Sequence, residues 1–132
     1  MGLILDTNFF IFAERYGLSD HLRHIVEDQE LSISAITLSE LHVGLHNALT
    51  PARVATRRAF LDHVLEGVAV HSFTAETALI HARLRSGLVT AGQMIGAHDL
   101  IIAATALDQA HAVVTSNGKE FRRITGLEVI SF

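Results

Sequence analysis

Short apolar runs alternate along the chain with stretches in which apolar residues recur at helical spacing. The runs 2–5 and 112–115 are almost continuously apolar, which is typical of strands covered on both faces of a sheet. Residues 31–34 alternate between apolar and polar, and 68–71 and 128–130 are further short strand candidates. Strands that alternate with helices predict a three-layer α/β/α domain with a central, mainly parallel sheet.

Six helices are predicted between these strands, from apolar spacing and from residues that suit helix ends. Thr50 and Pro51 fit the cap and the first position of one helix, and Thr74 fits the cap of the next. The last helix is strongly apolar and begins at Asp99, after a loop predicted over 89–97. The predicted helices span 8–16, 20–29, 37–47, 51–65, 75–88 and 100–110.

The 132 residues are 49% hydrophobic, so the chain has the size and composition of a single domain spanning 1–132. It contains no cysteine, which excludes disulfides and thiolate metal sites and is compatible with a reducing compartment. No apolar run approaches the roughly 18 residues that a membrane helix needs, and the first residues do not resemble a signal segment. We therefore expect a soluble, cytoplasmic protein without a membrane segment.

The net charge of −4 argues against a generic nucleic-acid-binding protein held by a strongly basic surface. It does not exclude a nuclease, because a nuclease needs carboxylates to hold metal and can contact phosphates through local arginines. Taken singly, each arginine is better explained as part of a solvated helix surface. The candidates for phosphate contacts are Arg53, Arg57, Arg58, Arg83, Arg85, Arg122 and Arg123.

Four polar residues lie where a predicted strand or helix meets a turn. Asp6 and Asn117 each follow an apolar strand, and the carboxyl ends of strands in an open α/β sheet meet at one ligand-binding crevice. Glu40 and Asp99 lie near the starts of predicted helices. This placement predicts that the four side chains form one acidic metal site.

Each of the four residues also has an ordinary structural explanation. Asp6 and Asp99 suit helix N-caps, and Asn117 begins a common Asn-Gly turn. Glu40 follows Thr37 by three residues, which is the spacing of a capping box. For any one residue taken alone, capping or turn chemistry suffices, so the argument for a site depends on all four together.

The local sequences around these residues occur in an order that resembles the PIN-domain ribonucleases, especially the VapC toxins of bacterial toxin–antitoxin pairs. The resemblance extends over nearly the whole chain. A lone Asp-Thr-Asn would be a weak signal, whereas four blocks in this order and spacing are specific. The blocks are LILDTN (3–8), SAITLSEL (34–41), IGAHDLIIAA (95–104) and TSN (115–117) followed by EF (120–121).

The resemblance implies a PIN fold, a divalent-metal-dependent endoribonuclease, a cognate VapB-like antitoxin that blocks the site, and a homodimer. Asp6, Glu40 and Asp99 match the acidic positions of the family. Asn117 matches a fourth position, which carries aspartate or asparagine. Glu120 stands where relatives often have an acidic residue before phenylalanine, and the sequence leaves open whether it compensates for the uncharged Asn117.

Magnesium, or manganese in its place, prefers oxygen ligands and takes one or two carboxylates together with substrate phosphate. We expect Asp6 and Asp99 to be the direct metal ligands. We expect Glu40 to act as base toward the attacking water or to support a second ion, and both one ion and two are compatible with the sequence. The amide of Asn117 is expected to orient a water or a neighbouring group.

Two other functions are compatible with parts of this sequence. The uncharged Asn117 and the negative net charge also suit a catalytically weak or inactive PIN-fold protein that binds RNA as a regulator. A phosphatase-like hydrolase with Asp6 as nucleophile is disfavoured, because Asn8 stands where such an enzyme needs a second aspartate. His42 and His46 have helical spacing for zinc, but without a third ligand a surface pair is the simpler interpretation.

Overall fold

The computed structural model describes residues 2–132, so the first residue of the predicted domain lies outside it. This part of the chain forms five strands and seven helices. None of these helices has the length and apolar character needed to cross a membrane. In chain order the elements are β1 (Leu3–Leu5), α1 (Thr7–Tyr16), α2 (Asp20–Val26), β2 (Leu31–Ser34), α3 (Ala35–His46), α4 (Pro51–Val64), β3 (Ala69–His71), α5 (Ala75–Ala91), α6 (Ala97–Gln109), β4 (Ala112–Thr115), α7 (Gly118–Phe121) and β5 (Val129–Ser131).

The five strands form one sheet in the order β3-β2-β1-β4-β5, and every neighbouring pair is parallel. β1 is central, with Leu3 opposite Leu31 of β2 on one side and opposite Ala112 of β4 on the other. The predicted mainly parallel sheet is therefore confirmed, and it is parallel throughout residues 2–132. The carboxyl ends of β1 and β4, at Leu5 and Thr115, lie side by side.

Side chains of β1 alternate between the two faces of the sheet and enter two separate apolar cores. Leu3 and Leu5 pack in the first core with residues of α1 to α4. Ile4 packs in the second core with residues of α5 and α6. Ile102 and Ala103 of α6 are fully buried, as the apolar sequence of this helix predicts. Helices thus cover both faces of the sheet, which confirms the predicted three-layer α/β/α arrangement.

Several helix ends differ from the prediction. α2 ends three residues earlier than predicted, and Asp28 just beyond it adopts a left-handed conformation with φ 59°. α5 continues to Ala91 through part of the predicted loop, and Gly92 ends it with φ 67°. α6 begins at Ala97, two residues before Asp99, and the short helix α7 replaces part of a predicted turn.

Candidate active site

Asp6 lies at the carboxyl end of the central strand and is anchored from the neighbouring strand. Its backbone N–H donates to the carbonyl oxygen of Val114 over 3.0 Å. The hydroxyl of Thr115 donates to Asp6 Oδ2 over 2.7 Å, and the side chain of Asp6 is buried. The parallel pairing of β1 with β4 therefore brings together two side chains that are 109 positions apart in sequence.

Burial raises the pKa of Asp6 above its ordinary value, because it withdraws the carboxylate from water. The hydrogen bond from Thr115 and the backbone N–H groups of Thr7 and Asn8 lower this pKa, whereas the nearby charge of Glu40 raises it. Asp6 occupies the N-cap position of α1, but its side chain forms no capping hydrogen bond of standard geometry. Capping of α1 therefore does not by itself explain Asp6, whose carboxylate also accepts the hydrogen bond from Thr115.

Glu40 lies in the middle of α3 and not in its first turn. Ser34, the last residue of β2, caps α3 by accepting a hydrogen bond from the N–H of Ile36, so the helix begins two residues before Thr37. The capping box considered for Thr37 and Glu40 is therefore absent, and that explanation of Glu40 is wrong. The glutamate side chain is free to make contacts outside its own helix.

The Glu40 carboxylate contacts α1 and α6. Glu40 Oε1 accepts a hydrogen bond of 2.9 Å from the hydroxyl of Thr7, which directly follows Asp6. Glu40 Oε2 lies 3.5 Å from Nδ1 of His98, the residue before Asp99. The contact of Thr7 with Glu40 was not predicted from the sequence, although the Asp-Thr-Asn block contains this threonine. Glu40 is thus held next to the immediate neighbours of both aspartates.

Asp99 is the third residue of α6, and its carboxylate contacts Asn117. Asn117 Nδ2 donates to Asp99 Oδ2 over 3.3 Å, and the Asn117 backbone N–H donates to Thr115 Oγ1 over 2.9 Å. Gly96 occupies the N-cap of α6, and Asn117 occupies that of α7 without a side-chain capping bond. A continuous chain of hydrogen bonds thus runs from Asp99 to Asp6.

The pKa of Asp99 is raised from 3.8 to about 6. Burial is the largest cause, followed by repulsion from Asp6 and from Glu120. The hydrogen bond from Asn117 lowers this pKa, and Glu40 raises it slightly further. Such repulsion acts only between charges that lie near one another. The structure therefore brings all four predicted site residues together and adds Glu120 to their surroundings.

The donor set of the site suits a partly hydrated divalent cation. Among residues 2–132, no group of three or more histidine, aspartate and glutamate side chains is close enough to enclose a metal ion. Magnesium does not need such an enclosure, because it keeps several waters and takes one or two carboxylates with substrate phosphate. Asp6 and Asp99 offer two partly desolvated carboxylates that repel each other, and a cation between them would relieve that repulsion.

A cleft of ≈ 360 Å³ opens between α1, α3 and α4. Thr7 and Glu40 line this cleft, so it adjoins the acidic site. Ile11 on its wall is 44% exposed. Arg57 on the α4 side forms an ion pair of 2.8 Å with Glu14 of α1. Two leucines of its lining are buried, and the rest of the lining is mostly polar or charged. A concave surface that combines apolar and polar side chains is a candidate binding site.

Comparison with known proteins places this arrangement in a family. The PIN domain family matches residues 3–127. The Ribonuclease VapC1 of Rickettsia felis is 34% identical over 131 residues, which cover 99% of this chain and 96% of that protein. The chain belongs to the VapC family of PIN-domain proteins. Another VapC relative, the tRNA(fMet)-specific endonuclease VapC of Salmonella typhimurium, is 30% identical and covers 98% of this chain and 96% of its own length.

Solved structures of VapBC complexes have the same fold. VapBC2 from Rickettsia felis, bound to a DNA fragment from its promoter, matches with a TM-score of 0.90 at 29% identity, over 100% of this chain and 99% of that one. DNA-bound VapBC from Salmonella typhimurium matches with a TM-score of 0.89 at 28% identity, over 99% and 98% of the two chains. The predicted PIN-like fold and the resemblance to VapC are both confirmed.

Proposed function

We propose that this chain is the toxin of a type II toxin–antitoxin system and acts as a divalent-metal-dependent endoribonuclease. The observation that carries the proposal is the hydrogen-bonded connection of Asp6 to Asp99 through Thr115 and Asn117 at the carboxyl edge of the sheet. VapC relatives that are named as ribonucleases or endonucleases support RNA as the substrate.

Asp6 and Asp99 are the proposed ligands of one Mg²⁺ or Mn²⁺ ion. Such an ion, when bound, supplies positive charge that offsets the charge of the phosphodiester and favours ionisation of the attacking water. The Thr115 hydroxyl donates a hydrogen bond to Oδ2 of Asp6, and the Asn117 amide donates one to Oδ2 of Asp99. These hydrogen bonds orient both carboxylates, and Asn117 acts as a positioning residue for Asp99.

Glu40 is the proposed base that accepts a proton from the attacking water. The hydroxyl of Thr7 fixes one of its oxygens, which restricts the carboxylate to one orientation. Its side chain is 32% exposed, so water can reach the other oxygen. His98, which is 55% exposed beside Glu40, is a proposed contact with the substrate.

A VapB-like antitoxin is the proposed occupant of the cleft between α1, α3 and α4. Because Glu40 lines this cleft, a protein segment bound there would block access to the acidic site. Structural neighbours that are VapBC complexes support a partner of this kind. We also propose that the chain forms a homodimer and is located in the cytoplasm, where cellular RNA is available.

RNA cleavage by the purified chain, free of antitoxin, tests this function directly. The chain is incubated with a set of structured cellular RNAs in Mg²⁺, in Mn²⁺ or in chelator, and the new RNA ends are mapped. Asp99→Asn is the matched control, because it removes one charge while keeping the shape of the side chain. We expect the wild type to cleave RNA only when the metal ion is present, and we expect Asp99→Asn not to cleave it.

RNA binding without cleavage is the outcome that would contradict the enzymatic proposal. A folded wild type that binds RNA but leaves every RNA of the set intact would favour the regulatory RNA-binding alternative. Circular dichroism of the wild type and of Asp99→Asn establishes that both proteins are folded, so that a missing activity reflects the site and not the fold.

A further inference from the structure

One cluster of basic residues lies just after Asn117. Of the ten lysines and arginines, the single lysine and two arginines fall within residues 119–123. Arg123 donates to the backbone carbonyl of Met94 and so connects the chain after α7 to the loop between α5 and α6. Lys119 and Arg122 are both exposed, and their spacing of three residues in helical backbone places them on the same side of α7.

The Arg122 guanidinium lies at the carboxyl edge of the sheet, beside the acidic site. Its Nη2 donates to the hydroxyl of Ser131 over 2.6 Å. Ser131 is paired with Thr115 in the register of β4 and β5, and side chains of paired residues point to the same face of a sheet. Thr115 of β4 binds Asp6, and Ser131 of the neighbouring strand β5 binds the guanidinium. The guanidinium is therefore one strand away from the hydrogen bond between Thr115 and Asp6.

Gly118 makes room for this guanidinium. A Cβ atom at Gly118 would overlap the Ser131 hydroxyl and would lie 2.7 Å from Nη1 of Arg122. The guanidinium therefore packs against the backbone that directly follows Asn117, whose amide contacts Asp99. Because residue 118 is a glycine, the Arg122 guanidinium can lie next to the acidic site.

Lys119 and Arg122 keep their positive charges unpaired. Within residues 2–132, the Arg57–Glu14 ion pair joins α1 to α4 and the His98–Glu40 contact joins α3 to α6, and neither includes α7. A guanidinium has five N–H donors, so Arg122 retains free donors beside its bond to Ser131. An exposed arginine that is held in place with free donors is suited to bind a phosphate group.

An acidic site on a negatively charged protein repels the RNA that it has to bind. A metal ion offsets this repulsion at the scissile phosphate, whereas neighbouring phosphates need other cations. We propose that Lys119 and Arg122 bind the RNA backbone at a phosphate next to the scissile one, on the β5 side of Asp6 and Asp99. The inference rests on the proposed nuclease function. It further specifies that the RNA strand runs from the acidic site toward β5 and α7.

The test compares Lys119→Gln/Arg122→Gln with Arg58→Gln/Arg85→Gln, a control that removes two charges from exposed positions on α4 and α5. The sequence made both control arginines candidates for phosphate contacts, but neither lies on α7 beside Asn117, where the inference places the RNA backbone. Binding of a fluorescent single-stranded RNA is measured in Mg²⁺ at increasing salt, in the Asp99→Asn background so that the RNA stays intact. Loss of two phosphate contacts should reduce the slope of log affinity against log salt by about 1.4 and weaken binding about tenfold at roughly 0.15 M salt. The control should keep the slope of its parent.

Steady-state cleavage in the background with Asp99 intact separates binding from chemistry. Loss of both cations should raise KM and leave kcat nearly unchanged, because they contact a phosphate that is not cut. If the double variant fails to fold, the exposed Lys119→Gln alone should reduce the salt slope by about 0.7, and an unchanged slope would overturn the inference.

Four results would contradict the inference. An unchanged slope and KM in Lys119→Gln/Arg122→Gln, beside a wild type that cuts RNA, would overturn it and leave the nuclease proposal intact. A lower melting temperature with an unchanged slope would assign Arg122 a structural role only. Equal losses in the control would show that net charge alone matters. A wild type that neither binds nor cuts RNA would overturn both proposals.

Discussion

Thr115 provides the side-chain hydrogen bond that holds Asp6 in the site. The threonine is fully buried, and its hydroxyl donates to Asp6 Oδ2 over 2.7 Å. Valine keeps the shape of the side chain but removes the donor, which leaves a buried carboxylate without this partner. We expect Thr115→Val to lower the free energy of unfolding by about 2 kcal/mol, measured by urea denaturation in chelator, and to impair RNA cleavage.

Thr115→Ser is the control for this prediction. Serine keeps the hydroxyl and loses one buried methyl group, which costs about 1 kcal/mol of stability. We therefore expect Thr115→Ser to retain cleavage where Thr115→Val loses it. If Thr115→Val were as stable and as active as the wild type, the hydrogen bond would not be what positions Asp6.

Asp99 should make the metal-free protein less stable as the pH rises. Its pKa is raised from 3.8 to about 6, chiefly by burial and then by repulsion from Asp6. The folded state therefore keeps a proton on Asp99 that the unfolded state loses between these two pH values. The resulting stabilisation is fully present below pH 3.8 and is lost as the pH rises through about 6.

Urea unfolding of the wild type and of Asp99→Asn, at a series of pH values in chelator, measures this effect. The difference between the two proteins cancels the contribution of groups that do not interact with Asp99. His71, whose pKa is lowered mainly by burial, gives the opposite trend, and it does so in both proteins. We expect the stability of the wild type relative to the variant to fall between pH 3.8 and about 6. A constant difference would mean that Asp99 titrates as an exposed carboxylate.

Residues at strand ends were predictable without any relative, because the carboxyl ends of parallel strands meet at one edge. Asp6 and Asn117 were placed in this way, and they are linked through Thr115. Glu40 was not predictable from its local pattern, since a cap at Ser34 competes with the one considered at Thr37. Only tertiary packing selects between two such caps, and the family resemblance was needed to place Glu40 in the site.

At the scale of single elements, the C-terminus of α6 is strained. Ala110 caps this helix in the left-handed conformation, with φ 53° and ψ 41°. The Cβ atom of an L-residue is unfavourable there, whereas glycine adopts this conformation freely. We expect Ala110→Gly to raise the free energy of unfolding by about 0.5–1 kcal/mol, measured by urea denaturation.

The same substitution inside a helix should have the opposite effect. Ala82 is exposed within α5, where glycine loses backbone entropy and should destabilise the protein by about 1 kcal/mol. This variant controls for any general effect of an added glycine. A loss of stability in both Ala110→Gly and Ala82→Gly would show that the left-handed cap is not strained.

Element order and type followed from the apolar pattern, but some helix ends did not. Val89 and Thr90 are β-branched and have lower helix propensity than unbranched residues, yet α5 continues through them to Ala91. Buried Leu88 fixes the last turns of the helix against the second core, and the left-handed Gly92 then ends it. A helix of four residues such as α7 is too short to show a helical period, so the sequence predicted only a turn there.

At the scale of the whole molecule, the candidate site draws on all three layers. Asp6 follows a strand of the sheet, Glu40 lies on a helix of the first core, and Asp99 lies on a helix of the second core. Only the complete fold brings these charges together, so their mutual repulsion opposes folding. A cation that binds between the layers should therefore stabilise the molecule as a whole.

Magnesium should accordingly raise the melting temperature of the wild type. A ligand that binds only the folded state stabilises it by about 2.7 kcal/mol at 100 times its dissociation constant. Asp99→Asn loses one proposed ligand, so its melting temperature should rise much less at the same magnesium concentration. Sodium chloride at matched ionic strength controls for screening of the carboxylates. An equal rise in both proteins would mean that the stabilising ion binds away from Asp99, and the proposed ligand pair would have to be abandoned.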